Sequence, residues 1–196
     1  MKSSDAIMNI AVFASGNGSN AENLIEYFRQ ADCGMQVVLV VTNRHDAGVI
    51  GRAHRLDVPV EILSRAEIND PDTMLALTDR YSIDLIVLAG FLLMVPGFLL
   101  QRYPGRIVNI HPSLLPRHGG KGMYGRHVHQ AVVDAGDTET GITVHYVSDI
   151  CDGGQIISQQ RVAVDTGDTA DDVERKIHSL ERLHFARILR ETFAKK

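Results

Sequence analysis

Asn109 and His111 are the residues of this 196-residue chain whose types and spacing point most directly to chemistry. They open the stretch N-I-H-P-S-L-L-P, Asn109 to Pro116, after an apolar segment, Arg106-Ile107-Val108, that reads as a strand arriving from the core. Side chains two apart on a strand project to the same side. A carboxamide donor then stands beside an imidazole, the side chain that titrates near neutral pH. Such a pair can stabilise charge growing on a carbonyl oxygen while a proton is moved, as acyl transfer requires. Pro112 and Pro116 fix φ and lack a backbone donor, so the regular element must stop there.

Two further segments offer candidate groups. Ser15-Gly16-Asn17-Gly18-Ser19-Asn20 lies between an apolar run and a helical pattern. Its glycines allow close backbone approach, and the N-terminus of the following helix carries unpaired amides, which suits a phosphate. No Walker Lys-Ser/Thr pair follows, and the third glycine position of G-x-G-x-x-G is Ala21, with no ribose-binding acid after the second strand. An ordinary strand-to-helix turn uses glycines equally well. The acidic turn Ser148-Asp149-Ile150-Cys151-Asp152-Gly153-Gly154 supplies two carboxylates able to orient His111, and spacing does not choose between Asp149 and Asp152. Nothing beside Cys151 marks an activated thiolate. His127 and His129, two apart on an expected helix, do not share a face, and no metal site is expected. The run Gly119 to Gly125 reads as a mobile loop over the site, solvated by Arg117 and Lys121.

The elements that position these groups follow from hydrophobic patterning. Apolar runs at Ile7–Ala14, Met35–Thr42, Val58–Leu63, Leu85–Ala89 and Ile107–Asn109 predict strands, several of them apolar throughout, as in a parallel sheet covered on both faces. Helical spacing falls at Ala21–Ala31, Ala47–Leu56, Asp72–Tyr81 and Arg126–Ala135. Ile142–Val147 and Gln155–Val164 predict an antiparallel addition, and a last helix follows Thr169 as N-cap, with Asp171 and Asp172 in its first turn. The expected fold is α/β: a single-domain, open, mostly parallel twisted sheet of Rossmann-like type, with helices on both faces and the antiparallel pair near the C-terminal half.

With 44% hydrophobic and 22% charged residues, the chain can bury a full core without disulfides. A formal net charge of −4 gives no reason to expect nucleic acid or an anionic membrane as a partner. Cys33 and Cys151 form no C-x-x-C pair and read as reduced thiols of a cytoplasmic protein. The N-terminus carries no leader pattern, and the longest apolar run, Leu85 to Met94, is too short to span a bilayer. A soluble monomer or homodimer is expected.

Together the motifs resemble the phosphoribosylglycinamide formyltransferase family: S-G-N-G-S-N after the first strand, L-A-G-F, N-I-H-P-S-L-L-P, G-I-T-V-H-Y-V and D-G-G, covering nearly the whole chain. N-I-H-P-S-L-L-P with a later D-x-G is shared by folate-dependent formyltransferases at large, whereas S-G-N-G-S-N belongs to the glycinamide ribonucleotide branch. The resemblance implies transfer of a formyl group from 10-formyltetrahydrofolate, as cosubstrate, to glycinamide ribonucleotide. It implies Asn109, His111 and Asp152 as the catalytic set, the carboxylate being the one immediately before Gly-Gly. Gly18, Ser19 and Asn20 match the substrate-phosphate loop, and His178 and Glu181 match positions at the ribose end. Leu92, Leu93, Met94 and Val95 match one wall of the folate pocket; Ser148, Asp149 and Asp152, with Asn109, match the other side. His145 is a supporting candidate. Two departures stand out: Arg117 to His129 is longer and richer in glycine than the family's usual link, and Leu93 replaces a common arginine. Formyltetrahydrofolate deformylase, which uses a similar Asn/His/Asp set with water as acceptor, is the nearest alternative. It usually carries a regulatory domain and lacks the phosphate loop. Methionyl-tRNA formyltransferase normally adds a basic C-terminal domain. A non-catalytic folate- or nucleotide-binding protein would not need the Asn109, His111 and Asp152 set.

Overall fold

The apolar runs pair into one sheet. A computed structural model describes residues 7–31 and 33–194; the first six residues, on which the expectation of no leader partly bears, lie outside that range. In chain order the elements are β1 (Met8–Phe13), α1 (Ser19–Gln30), β2 (Met35–Thr42), α2 (Gly48–Arg55), β3 (Val60–Ile62), α3 (Arg65–Ile68) and α4 (Pro71–Arg80). Then follow β4 (Leu85–Ala89), α5 (Gly97–Arg102), β5 (Ile107–His111), α6 (Arg126–Asp134), β6 (Glu139–Tyr146), β7 (Ile156–Ala163) and α7 (Ala170–Phe193). The strand order is β3-β2-β1-β4-β5-β6-β7. β1 to β5 run parallel, and β6 and β7 are antiparallel to their neighbours.

Alternation along the central strands divides the core in two. Ile10, Val12, Val108 and Ile110 face one side, under α1, α2, α6 and α7, with Leu24, Val49, Val132 and Phe185 among the contacts. Ala11, Phe13, Ile86 and Ile107 face the other, against Ile68 of α3, Met74 of α4 and Leu99 of α5. Because both faces are covered, β4 is buried at every position. The chain leaves β1 toward β2 and β3, then returns to place β4 on the other side of β1. That reversal opens a crevice at the carboxyl edge of the sheet, where open α/β sheets bind ligands.

Several element bounds differ from the sequence expectations. β5 runs on to His111, which pairs with Thr143 of β6. β6 begins at Glu139 rather than Ile142, because Gly141 interrupts the side-chain alternation without interrupting pairing. A Cβ there would collide with the Gln160 carbonyl and the Leu114 side chain, so glycine lets β7 approach. α1 starts at Ser19, two residues earlier than the apolar spacing implies. The short helices α3 and α5 lack enough turns for a periodic pattern; α3 is marked instead by the Ser64/Glu67 capping box.

Candidate active site

Strand pairing places Asn109 opposite His145 on β6 and His111 opposite Thr143. The turn that follows is held by buried polar groups. Thr143 Oγ1 donates to the Ser113 carbonyl at 2.7 Å and accepts from the Leu115 amide at 3.0 Å and from Gln159 Nε2 at 2.9 Å. Fully paired, such a network fixes the exit of β5 and the direction of His111.

Asp152 completes the cluster. Its Oδ2 is 3.5 Å from His111 Nδ1, and its Oδ1 accepts from Asn109 Nδ2 at 3.4 Å. Asp152 has a left-handed backbone (φ 54°), which aspartate tolerates better than most residues and which the tight turn before Gly153 and Gly154 requires. Tertiary packing therefore resolves the choice the sequence leaves open: Asp149 is exposed and lies outside the cleft lining, while Asp152 meets His111. His145 joins from behind. Its Nδ1 donates to the Tyr146 carbonyl at 2.9 Å, so its Nε2 is free to accept from Asn109 Nδ2 at 3.1 Å. Burial pushes the His145 imidazole below its ordinary value, against weaker opposing contributions from the Tyr146 carbonyl and Asp152.

The cluster opens onto a cleft lined by Leu88, Phe91, Leu93, Met94, Val95 and Val147, with Asn109, His145, Ser148, Ile150, Cys151 and Asp152. Its walls are largely apolar and its polar groups converge at one end, a form suited to a flat heterocycle held by one edge. Leu93, Met94 and Val95 lie in the wall; Leu92 does not, and its amide instead donates to Ser15 Oγ at 3.0 Å. Ser148 lines the cleft and its hydroxyl is engaged by the Ile150 backbone at 3.2 Å. Cys151 is exposed, and burial of its sulfur together with Asp152 raises its pKa, the opposite of an activated thiolate.

After strand β1, the loop that begins at Ser15 ends in Gly18, the left-handed N-cap of α1 (φ 80°), with no side chain capping the helix. A Cβ at Gly18 would lie 2.5 Å from Val49 Cβ and 2.6 Å from its Cα, whereas one at Gly16 would meet nothing. Close packing against α2 thus explains one glycine, and Arg52 holds the loop by donating to the Asn17 carbonyl at 2.8 Å. Glu181, 8% exposed, accepts a hydrogen bond from the Asn20 side chain, yet burial pushes its carboxyl up to about 7. His178, one turn earlier, is half exposed and 3.9 Å from Glu174. The strand order puts the ends of β1 and β5 two ladder spacings apart, roughly 10 Å.

A family model described as formyl transferase matches residues 8–189. The chain belongs to the formyl transferase family. Within it, phosphoribosylglycinamide formyltransferase of Escherichia coli (strain K12) is 34% identical over 178 residues, 89% of this chain and 82% of that protein. The chloroplastic enzyme of that name from Arabidopsis thaliana is 38% identical over 181 residues, 89% of this chain. The chain spans 62% of the length of that plant relative and 59% of the one from Vigna unguiculata. Among solved structures, phosphoribosylglycinamide formyltransferase from Bacillus halodurans matches with a TM-score of 0.85 and 33% identity, over 95% of this chain and 96% of that one. The Brucella melitensis protein of the same name matches at 0.85 and 32%, over 97% of each. Family membership accounts for the Rossmann-like sheet.

Some residues of the site carry no sequence signal. His118 and Gly120, which touch His111 and Asp152, sit in a glycine-rich run without periodicity. Arg117, expected only to solvate the loop, pairs with Asp137 and Glu139 at 3.4 and 3.3 Å. His127 is exposed and His129 buried, as residues two apart on a helix must be. No helix among the described residues is long and apolar enough to cross a membrane.

Proposed function

We propose that this chain transfers a formyl group from 10-formyltetrahydrofolate to the glycinamide amine of N1-(5-phospho-D-ribosyl)glycinamide, a step of de novo purine synthesis. The observation that carries the reading is the meeting of Asn109 and Asp152 at the polar end of an apolar cleft, with His111 buried behind Asp152 at 3.5 Å. The amide-bearing loop at Gly18 to Asn20 supports the choice of acceptor, since it lies two strands away on the same sheet edge.

In this mechanism the acceptor phosphate meets the first-turn amides of α1 at Gly18, Ser19 and Asn20. Glu181 and His178 meet its ribose. The pteridine ring lies between Leu93, Met94 and Val95 on one wall and Ser148 and Asp152 on the other; Leu92, through its backbone tie to Ser15, and Asp149, beyond the lining, act from outside. The amine attacks the formyl carbon, and charge grows on the formyl oxygen. Asn109 Nδ2 donates to that oxygen by exchanging its 3.4 Å contact with Asp152, the longer of its two. The charged form of His111 adds electrostatic stabilisation, and Asp152 pairs with it and relays the proton from the amine to the folate nitrogen as the tetrahedral adduct collapses and the bond between that nitrogen and the formyl carbon breaks.

The test is folate release measured with and without glycinamide ribonucleotide. Strict dependence on the acceptor is expected. Equal release without it would replace this reading with the deformylase, in which water is the acceptor. A cytoplasmic location belongs to the same reading.

A further inference from the structure

One strap of chain, Arg117 to Gly125, touches both members of the His111–Asp152 pair through its backbone. The His118 carbonyl lies 2.8 Å from His111 Nε2, and the Gly120 amide donates to Asp152 Oδ2 at 2.8 Å. A carbonyl oxygen only accepts, so the proton of the neutral His111 ring resides on Nε2. Nδ1 then carries the lone pair and faces Asp152 Oδ2 at 3.5 Å. The carbonyl thus chooses the tautomer, as partners of functional histidines do.

What aims this carbonyl is the side chain of the same residue. His118 has a left-handed backbone (φ 52°), a region that a non-glycine residue occupies at a cost unless its surroundings hold it there. Its Nε2 lies 2.7 Å from Asp137 Oδ2, with both side chains largely buried. Asp137 is itself fixed at the α6–β6 junction, its amide donating to the Val132 carbonyl at 3.2 Å. Ser113 Oγ clamps the preceding carbonyl, that of Arg117, at 2.6 Å. We propose that His118 is a positioning residue for formyl transfer: anchored by Asp137, it holds its carbonyl on His111 Nε2 and so fixes the proton arrangement of the catalytic imidazole. This rests on the proposed formyl transfer for its kinetic readout but not for its spectroscopic one.

The experiment combines kinetics with 15N spectra of histidine-labelled full-length protein recorded without substrates. His118→Ala is expected to lower kcat about tenfold, the worth of roughly one hydrogen bond, with KM for both substrates held within about twofold. In spectra taken at alkaline pH, where imidazole is neutral, the His111 ring is expected to change from a single Nε2–H tautomer to a mixture. His118→Gln, whose amide reaches Asp137 in the same way, should recover most of both. Should His118→Ala fail to fold, Asp137→Ala leaves His118 in place and must give the same spectral change. An unchanged His111 spectrum in the folded variant, an unchanged kcat, or no rescue by His118→Gln would overturn the proposal. Absence of formyl transfer in the unmodified protein would instead remove the proposed function, and the spectra would still decide the role of His118.

Discussion

Asn109 and His145 face each other across the β5–β6 ladder, with Asn109 Nδ2 3.1 Å from His145 Nε2. Because Nδ1–H donates to the Tyr146 carbonyl at 2.9 Å, only a neutral His145 can accept from Asn109. Burial enforces that state by lowering the imidazole pKa. The Asn109 carboxamide is therefore oriented with its nitrogen toward Asp152 and the cleft.

His145→Ala is expected to lower kcat about tenfold, since an unheld amide loses roughly one hydrogen bond of orientation. The sign of the pH effect follows from the lowered pKa. The unfolded chain protonates His145 first, so the stability it contributes is complete above the ordinary imidazole range and falls as pH drops through it. Thermal melts of the two proteins should thus converge on acidification. Parallel melting curves at all pH values would contradict the neutral assignment.

Asn109→Ala should reduce turnover about a hundredfold or more, the usual cost of one oxyanion donor. Asn109 is only partly buried and lies outside both apolar clusters, so the melting temperature should stay close to that of the unmodified chain. Initial rates beside a melting curve suffice. An undiminished rate would remove Asn109 from the mechanism.

Glu181 carries a burial penalty that the acceptor must justify. Its carboxyl is raised from 4.5 to about 7, so below pH 4.5 it is neutral in both folded and unfolded chains and costs nothing. Between those values the unfolded chain ionises first and stability declines as pH rises. Above 7 the loss is complete, with a ceiling of about 3 kcal/mol from the difference 7 − 4.5. Glu181→Gln should raise the melting temperature at pH 8 by on the order of 5 °C, converge with the unmodified chain near pH 4.5, and raise KM for the ribonucleotide. A lower melting temperature at pH 8 would mean that the carboxylate is stabilising.

Gly18→Ala should act on both stability and acceptor binding. The new Cβ would meet the Val49 Cα and Cβ in a backbone conformation with φ of 80°, and backbone atoms cannot swing aside. A destabilisation of about 1–3 kcal/mol is expected, together with a rise in KM for the ribonucleotide and a smaller change in KM for the folate. Gly16→Ala, in open space, is the control. Equal effects at the two glycines would contradict the packing argument.

Local residue pattern was sufficient for much of this protein. Uninterrupted apolar runs such as Leu85–Ala89 identify strands buried on both faces, and Thr169 with Asp171 and Asp172 identifies the start of α7, because burial and capping are local requirements. The same holds for Asn109 and His111, whose shared side follows from strand periodicity alone. Only the tertiary structure decided which acid meets His111, since Asp149 and Asp152 are separated by the left-handed turn that aims just one of them inward. It also decided that Gly18 answers to Val49, that Leu92 leaves the cleft wall, and that His118 and Gly120 bind the catalytic pair through backbone atoms. Backbone donors and acceptors are the same in every residue, so no amino-acid type announces them; only folding brings them within hydrogen-bonding distance.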